Sequence, residues 1–204
     1  MTLEEICKSV ERAKTGRGRL LVALAGPPGA GKSTLADAMA ERLALRAQVV
    51  PMDGFHRGND WLDARGLRAR KGAPETFDAE ALRDLVARLA AGALCRYPMF
   101  DRSRDSTVPA AGAIRADTEV LIVEGNYLLL DQSVWRDLSD HWDVSVYMDV
   151  PMPVLRARLI QRWLDQGLAP AAARLRAEQN DLRNARTVVE QSLPATCVLD
   201  FQPA

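Results

Sequence analysis

The sequence predicts a three-layer α/β fold with a mostly parallel five-stranded sheet and helices on both faces. The first observation is a set of short, largely apolar runs typical of strands buried on both faces, at residues 19–25, 48–53, 120–124, 144–150 and 197–201. The second is a set of helical segments that alternate with these runs, at residues 2–14, 32–46, 78–91, 153–166 and 170–191. Strands that alternate with helices form βαβ units, which require a parallel sheet.

Length and composition indicate one domain, which we expect over residues 1–204. Hydrophobic residues make up 48% of the chain and charged residues 26%, as in globular proteins with a sizeable core. Basic and acidic residues both number 27, so net charge indicates neither a nucleic-acid nor a membrane partner. No apolar run approaches the roughly 18–20 residues that cross a bilayer. The three cysteines form no disulfide or metal pattern, so we expect a cytoplasmic protein.

Two long segments, at residues 54–77 and 97–116, match neither the strand nor the helix pattern. We therefore predict that both are loops. Loops of this length inside a compact domain are usually functional or disordered. Their charge and their positions after predicted strands favour a function.

A phosphate-binding motif joins the first strand to the helix after it. Residues 26–33 read Gly-Pro-Pro-Gly-Ala-Gly-Lys-Ser, a complete match to GxxxxGK followed by Ser or Thr, the P-loop pattern of NTPases. Its glycines let backbone N–H groups point at phosphate oxygens, and the following helix adds its positive end. A chance match in a glycine-rich turn would lack this context. We predict a P-loop NTPase fold that contacts ATP through Gly26, Gly29, Ala30, Gly31, Lys32, Ser33 and Thr34.

Lys32 and Ser33 of this motif, together with Glu124 farther along the chain, predict a site for a nucleotide and its magnesium ion. Lys32 would bridge the β- and γ-phosphates, and the Ser33 hydroxyl would bind Mg²⁺. Glu124 ends a buried strand next to the motif, where its carboxylate would hold the same ion directly or through water. A solvated glutamate at a strand end is the alternative interpretation of Glu124.

Asp53 is the candidate catalytic base. It ends the second predicted strand, and ligands of parallel α/β sheets gather at the carboxyl ends of the strands. Asp53 is therefore placed to accept a proton from an attacking hydroxyl, a role that contributes about 10²–10⁴-fold in rate. An Asp-Gly turn without chemistry is the alternative. His56, three residues on, is either a substrate contact or an ordinary loop histidine.

Several motifs in a fixed order resemble those of the uridine kinase–phosphoribulokinase–pantothenate kinase superfamily. Besides the P-loop they are MDGFH at 52–56, RKGAPETFD at 70–78, YPMFD at 97–101 and IVEGNYLLL at 122–130. The resemblance covers about residues 20–190 and implies an ATP-dependent kinase with Asp53 as its base. Compact bacterial members, which look most similar, often carry the label of sugar transport kinases, including fructose, or of uridine kinase-like proteins.

The same resemblance implies a helical lid around residues 155–185. The family pattern LxxRxxxRxxxxG is matched by Leu155, Arg158, Arg162 and Gly167. Arg158 and Arg162 share one helix face because they lie four residues apart. Closed over the nucleotide, they would neutralise charge on the transferring phosphoryl group. A solvated basic face is the alternative.

The phosphoryl acceptor is less defined by the sequence than the nucleotide site. Uridine kinases resemble one another in a PxYDxxxHxR stretch, but here Phe100, Asp105 and Thr107 replace its tyrosine, histidine and arginine. We rank a sugar or polyol first, then an acidic metabolite such as pantothenate or glycerate, then a nucleoside. Our candidate acceptor contacts are His56, Arg70, Lys71, Phe77, Tyr97 and Asp101.

A regulatory P-loop NTPase that acts on a protein partner is an alternative of another class. The chain has no NKxD-like guanine motif, and paired lid arginines suit phosphoryl transfer better than switching. The sequence leaves the oligomeric state open, and a homodimer is one candidate because superfamily relatives are commonly dimers or larger. No surface stripe in the sequence identifies an interface.

Overall fold

The structure is a computed structural model that describes residues 1–14 and 18–201. Five strands form its main sheet: β1 (Leu20–Ala25), β2 (Ala47–Pro51), β5 (Val120–Gly125), β6 (Val144–Asp149) and β7 (Cys197–Asp200). Their order is β2–β5–β1–β6–β7, and every pairing is parallel. The predicted parallel five-stranded sheet is confirmed.

Helices cover both faces of this sheet. They are α1 (Leu3–Ala13), α2 (Lys32–Arg42), α3 (Asn59–Asp63), α4 (Ala79–Ala90), α5 (Met152–Asp165), α6 (Pro170–Arg176) and α7 (Leu182–Gln191). Short 3₁₀ turns lie at Met52–Phe55, Arg68–Arg70, Pro74–Thr76 and Arg136–His141. No helix in the described part of the chain combines the length and apolar content needed to cross a membrane.

Strand β1 shows how the layers are built, because its side chains alternate between two cores. Leu20, Val22 and Leu24 pack in one cluster with residues of α1 and α2. Leu21 and Ala23 pack in the other cluster, with residues of α4. All six residues of β1 are buried, which explains why this strand has no polar face in the sequence.

The prediction of a loop at residues 97–116 is wrong. The segment contains an antiparallel hairpin of β3 (Arg96–Asp101) and β4 (Ser106–Ala113), which pairs Phe100 with Thr107. Proline weakens a strand pattern because it removes a ladder donor, and the register shifts between Tyr97 and Met99, on either side of Pro98. Much of β4 is exposed, so it also lacks the alternating apolar residues that identify a half-buried strand.

Other predicted boundaries also needed correction. Residues 54–77 are not an irregular loop: they contain the end of the first 3₁₀ turn, helix α3 and the 3₁₀ turns at Arg68–Arg70 and Pro74–Thr76. Helix α2 ends at Arg42 instead of residue 46. Strand β2 ends at Pro51, so Asp53 lies in the 3₁₀ turn that follows. The predicted helix 170–191 is α6 and α7 joined by a π-helical turn, Ala177–Asp181.

The start of α4 was predicted correctly, and the reason is local. The Asp78 side chain accepts a hydrogen bond from the Ala81 N–H at 3.1 Å and so caps the helix. Such a cap satisfies one of the first backbone donors of a helix, which have no partner inside it. Local capping of this kind can be read from the sequence.

Candidate active site

A cavity of about 600 Å³ opens at the carboxyl ends of the central strands. One wall is the turn between β1 and α2, and another is formed by the 3₁₀ turn after β2 and by the tip of the β3–β4 hairpin. The rest of the lining comes from the end of β5, from the segment that contains Lys71, Gly72 and Phe77, and from side chains of α5, α6, the π-helical turn and α7. Ligands of parallel α/β sheets bind in this position, so the cavity is the candidate active site.

The P-loop lies between β1 and α2, as predicted. Gly29 and Gly31 have φ values of 82° and 99°, which residues with a Cβ rarely adopt. Gly31 is the N-cap of α2, and no side chain caps that helix. Uncapped backbone donors and the positive end of the helix therefore face the cavity beside Lys32, Ser33 and Thr34, where they suit an anion.

Lys32 is a buried cation whose side chain is held by two oxygen acceptors. The residue is 8% exposed, and its Nζ donates to the Pro27 carbonyl at 3.0 Å and to Asn126 Oδ1 at 2.6 Å. Burial lowers the pKa of Lys32 to about 8, against the opposing effect of Glu124 and Asp53. An anion in the cavity would stabilise the charged form. Lys32 is thus placed to receive phosphate.

Asn126 was not among the predicted site residues. It follows the strand-end residues Glu124 and Gly125, lines the cavity and contacts Lys32 from 94 residues along the chain. The signal in the sequence was its place directly after β5, at the same sheet edge as the P-loop.

Ser33 and Glu124 form the oxygen-rich part of the site. The Ser33 hydroxyl donates to Glu124 Oε1 at 3.1 Å, and Glu124 is 8% exposed at the end of β5. Burial raises the pKa of Glu124, while Lys32 acts in the opposite direction. Hydroxyl and carboxylate oxygens are the donors that Mg²⁺ prefers, so this pair fits the ion.

The described residues contain no group of three or more His, Cys, Asp or Glu side chains arranged to hold a metal. Magnesium at nucleotide sites takes one or two protein ligands and completes its shell with water and phosphate oxygens. Ser33 and Glu124 are sufficient for that mode. A site built from protein ligands alone is not indicated among these residues.

Asp53 lies in the cavity wall and is paired with an arginine. Its Oδ2 is 3.1 Å from Arg102 Nη2, at the tip of the β3–β4 hairpin. The turn that carries Asp53 packs tightly on β3, because a Cβ at Gly54 would lie 2.0 Å from the Pro98 carbonyl oxygen. Glycine is therefore required at position 54, and the contact holds Asp53 against the hairpin.

An aromatic group forms the wall next to Asp53. The His56 ring lies between Phe77 and Phe100, with centroid distances of 4.0 and 4.8 Å. His56 Nδ1 is 2.8 Å from the Asp53 carbonyl oxygen, which can only accept, so Nδ1 carries the proton. Burial lowers the pKa of His56. The three rings of this group, His56 included, are therefore uncharged near neutral pH.

Lys71 and Asp105 form a second charged pair at this wall. Lys71 Nζ donates to Asp105 Oδ1 and to Asn59 Oδ1, each at 2.8 Å, and lies 5.1 Å from the Phe100 ring centroid. Burial raises the pKa of Asp105, but the hydrogen bonds from Lys71 and Asn59 outweigh it, so the pKa lies below its usual value. Asp105 has a φ of 48°, an uncommon conformation for a residue with a Cβ.

The two predicted arginines of α5 have different surroundings. Arg162 lines the cavity, with its Nη2 3.4 Å from Asp181 Oδ2 and its buried Nε without a hydrogen-bond partner in the described chain. Arg158 donates to the carbonyls of Gly29 and Ala30 at 3.2 and 3.1 Å. It therefore contacts the P-loop backbone and does not line the cavity.

Of the six predicted acceptor contacts, His56, Lys71 and Phe77 line the cavity and three do not. Arg70 donates to Asn180 and Asn184 at 2.7 and 3.1 Å. The buried Tyr97 donates its hydroxyl to the Val49 carbonyl at 3.4 Å, and Asp101 accepts from Ser103 in the hairpin turn. The contacts of these three side chains are with other parts of the protein and not with the cavity.

Comparison with known proteins identifies a family of kinases, in agreement with the P-loop of the site. Residues 21–166 match the model of the Phosphoribulokinase / Uridine kinase family. The chain is 38% identical over 189 residues to Uncharacterized protein YggC of Escherichia coli (strain K12), covering 90% of this chain and 78% of that protein. It is 34% identical over 164 residues to Pantothenate kinase of Clavibacter sepedonicus, covering 76% of this chain and 49% of that enzyme.

A crystal structure from Silicibacter sp. TM1040, described as a "putative fructose transport system kinase", has the same fold. Its TM-score is 0.94 at 50% sequence identity, and the match covers 98% of this chain and 99% of that one. The family model, the curated relatives and this solved structure agree with one another. The chain therefore belongs to the phosphoribulokinase/uridine kinase family, and it is an ATP-dependent phosphotransferase with an alcohol group as acceptor.

Proposed function

We propose that this kinase transfers the γ-phosphate of ATP, with Mg²⁺, to a hydroxyl of a sugar or polyol. The observation that carries the proposal is the composition of the cavity. It joins the P-loop and the Ser33–Glu124 pair on one side to Asp53 and a group of uncharged aromatic rings on the other. The γ-phosphate of a nucleoside triphosphate and the hydroxyl of a small acceptor can therefore lie next to each other beside Asp53.

Each protein group has a defined part in the transfer. The P-loop backbone and Lys32 bind the β- and γ-phosphates, and Asp53 orients the acceptor hydroxyl and takes its proton. Bound at Ser33 and Glu124, Mg²⁺ would neutralise phosphate charge. Arg162 stands at the far wall to neutralise charge on the transferring group, and exclusion of water by the surrounding helices limits wasteful hydrolysis.

The acceptor side favours a neutral polyhydroxyl compound. Lys71, the cation beside the Phe100 ring, already has a carboxylate partner in Asp105, so an anionic acceptor at this position would have to displace that carboxylate. A hydroxyl can accept from the lysine and donate to the aspartate of this pair. The C–H face of a sugar also suits the rings of Phe77 and Phe100. The name of the Silicibacter relative agrees with this choice.

Acidic metabolites and nucleosides are the other acceptor classes to compare. The pantothenate kinases among the relatives support the first class. We also propose a single domain in which residues 155–185 act as a lid, with cytoplasmic location and homodimer formation as predictions. Residues 202–204 of that domain lie outside the described chain, as do residues 15–17.

The proposal is tested by an acceptor screen. Purified protein with Mg·ATP is offered sugars, polyols, organic acids and nucleosides, and ADP release is measured for each. We expect ADP release that depends on a sugar or polyol. A preference for acids or nucleosides would overturn the acceptor class, and turnover independent of every acceptor would overturn the small-molecule role.

The Asp53→Asn variant tests the proposed base in the same assay. Asparagine keeps the size of the side chain but cannot take a proton, so we expect kcat to fall by about 10²–10⁴-fold. The Kd for ATP, measured by calorimetry, should stay within about threefold, because the Asp53 side chain makes no hydrogen bond or ion pair to the P-loop in the described chain. Normal turnover by this variant would exclude Asp53 as the base.

A further inference from the structure

Arg102 is a cation within contact distance of the proposed base, and the superfamily motifs discussed above assign it no role. Its Nη2 lies 3.1 Å from Asp53 Oδ2, and this is the only side-chain hydrogen bond that Arg102 makes in the described chain. The Arg102 side chain is 72% exposed. A single ion pair, rather than packing against neighbouring side chains, therefore holds the Arg102 guanidinium in place, and the guanidinium is free to change partners.

The position of Arg102 brings a cation to the acceptor side of the reacting groups. It lines the same cavity as Lys32, Glu124 and Asp53. Arg162 lines the cavity from α5, a different wall. The two arginines thus stand on separate sides of the site.

The ion pair with Asp53 conflicts with proton abstraction. An ionised carboxylate has room for both the guanidinium and the acceptor hydroxyl, but once Asp53 takes the hydroxyl proton it loses the charge that holds Arg102. Arg102, which is exposed, is then available to pair with another anion. The transferring phosphoryl group is the nearest one that the reaction supplies, and its charge is spread over three oxygens.

We propose that Arg102 is a catalytic residue that, as Asp53 takes the acceptor proton, leaves this carboxylate and pairs with the transferring phosphoryl group. This inference rests on the proposed function. In the step, the acceptor oxygen forms a bond to the γ-phosphorus while the bond from that phosphorus to the β,γ-bridging oxygen breaks. The hydroxyl proton goes to Asp53, and ADP leaves with the electron pair of the broken bond. Arg102 stabilises the phosphoryl oxygens as this transfer proceeds.

Arg104 provides a matched control in the same hairpin tip. Its side chain is 77% exposed and lies 3.5 Å from Asp101, but it does not line the cavity. An Arg102→Gln and an Arg104→Gln variant therefore remove equal charge from equally exposed sites. Only the first change removes a group that can reach the reacting atoms.

The test compares wild type, Arg102→Gln, Arg102→Lys and Arg104→Gln with the acceptor that gives the highest turnover in the screen. We expect Arg102→Gln to lower kcat by about 10²–10³-fold, less than the 10³–10⁵-fold of an arginine finger that acts alone, because Arg162 remains. The KM for ATP should stay within about threefold. Arg102→Lys should recover part of kcat, added guanidinium should partly rescue Arg102→Gln, and Arg104→Gln should match wild type.

Three results would overturn the role of Arg102. One is a kcat for Arg102→Gln within threefold of wild type. Another is an equal loss in Arg104→Gln, which would assign the effect to the fold of the tip. The third is a loss confined to the KM for the acceptor, which would make Arg102 a binding group only. If wild type itself shows no acceptor-dependent turnover, the proposed function fails instead, and the two failures are distinct.

Discussion

Replacement of Gly54 by alanine tests whether the turn that carries Asp53 depends on its contact with β3. The added Cβ would lie 2.0 Å from the Pro98 carbonyl oxygen and 2.6 Å from the Pro98 carbonyl carbon. Non-bonded carbon atoms pack best at about 3.5–4.0 Å, so the two backbones must separate by about 1 Å or more. Both partners are backbone segments, which cannot relieve the contact by a rotamer change.

The expected cost of Gly54→Ala is about 3 kcal/mol, the upper part of the range for overpacked cores. For a chain of this length each kcal/mol shifts Tm by about 2–4 °C, so Tm should fall by about 6–12 °C. A misplacement of about 1 Å near reacting groups can cost about 10²-fold in rate. We therefore expect both a less stable protein and a kcat lowered to that extent.

The assays are thermal unfolding followed by circular dichroism and steady-state kinetics with saturating ATP. Gly58→Ala is the control, because a Cβ there has no neighbour within 4 Å and its φ of −61° suits alanine. The control should unfold within about 0.5 kcal/mol of wild type. A Gly54→Ala protein with unchanged Tm and kcat would show that the close approach to Pro98 does not position Asp53.

Two further predictions concern charge. Lys32→Ala removes a charged donor from the phosphate site. Because a hydrogen bond to a charged group is worth about 1.5–3 kcal/mol, we expect the Kd for ATP, measured by calorimetry, to rise by about 10–150-fold. An unchanged affinity would contradict the role of Lys32. Burial lowers the pKa of His56, so the unfolded chain binds the proton more readily. Stability from this group is therefore present above about pH 6.5, the unfolded value, and is lost as pH falls from there through the folded pKa. His56→Gln should show a smaller loss of unfolding free energy between pH 7 and 5 than wild type and than a His141→Gln control, and an equal loss in all three would refute the assignment.

The parallel sheet and the P-loop could be predicted because their signals are local. Each buried strand is a continuous apolar run, and the P-loop is a contiguous motif between a strand and a helix. The hairpin could not be predicted in the same way, since Pro98 and Pro109 interrupt its strands and β4 is mostly exposed.

Within the site, the sequence indicated the side chains better than their contacts. Glu124 and Ser33 were expected together because parallel strands end at one edge of the sheet. The contacts of Lys32 with Asn126 and of Asp53 with Arg102 join residues 94 and 49 positions apart. Spacing along the chain carries no information about such pairs, because they depend on how the hairpin and strand β5 pack.

The π-helical turn Ala177–Asp181 has a consequence for how the chain tolerates changes in length. Leu182 N–H bonds to the Ala177 carbonyl, five residues back, so the turn holds one residue more than an α-helical turn. Two neighbours in this turn serve different walls: Asn180 Nδ2 donates to the Lys71 carbonyl at 2.8 Å, while Asp181 accepts from Trp163 and pairs with Arg162.

Deletion of one residue from this turn would restore an ordinary helix and rotate α7 by about 100° relative to α6. Asn184, Ala185 and Val188 would then leave their buried positions, and Asn180 and Asp181 would no longer face the two walls together. A substitution in the turn perturbs one contact, whereas a deletion changes the register of every residue after it. The length of this segment is therefore under stricter constraint than its composition.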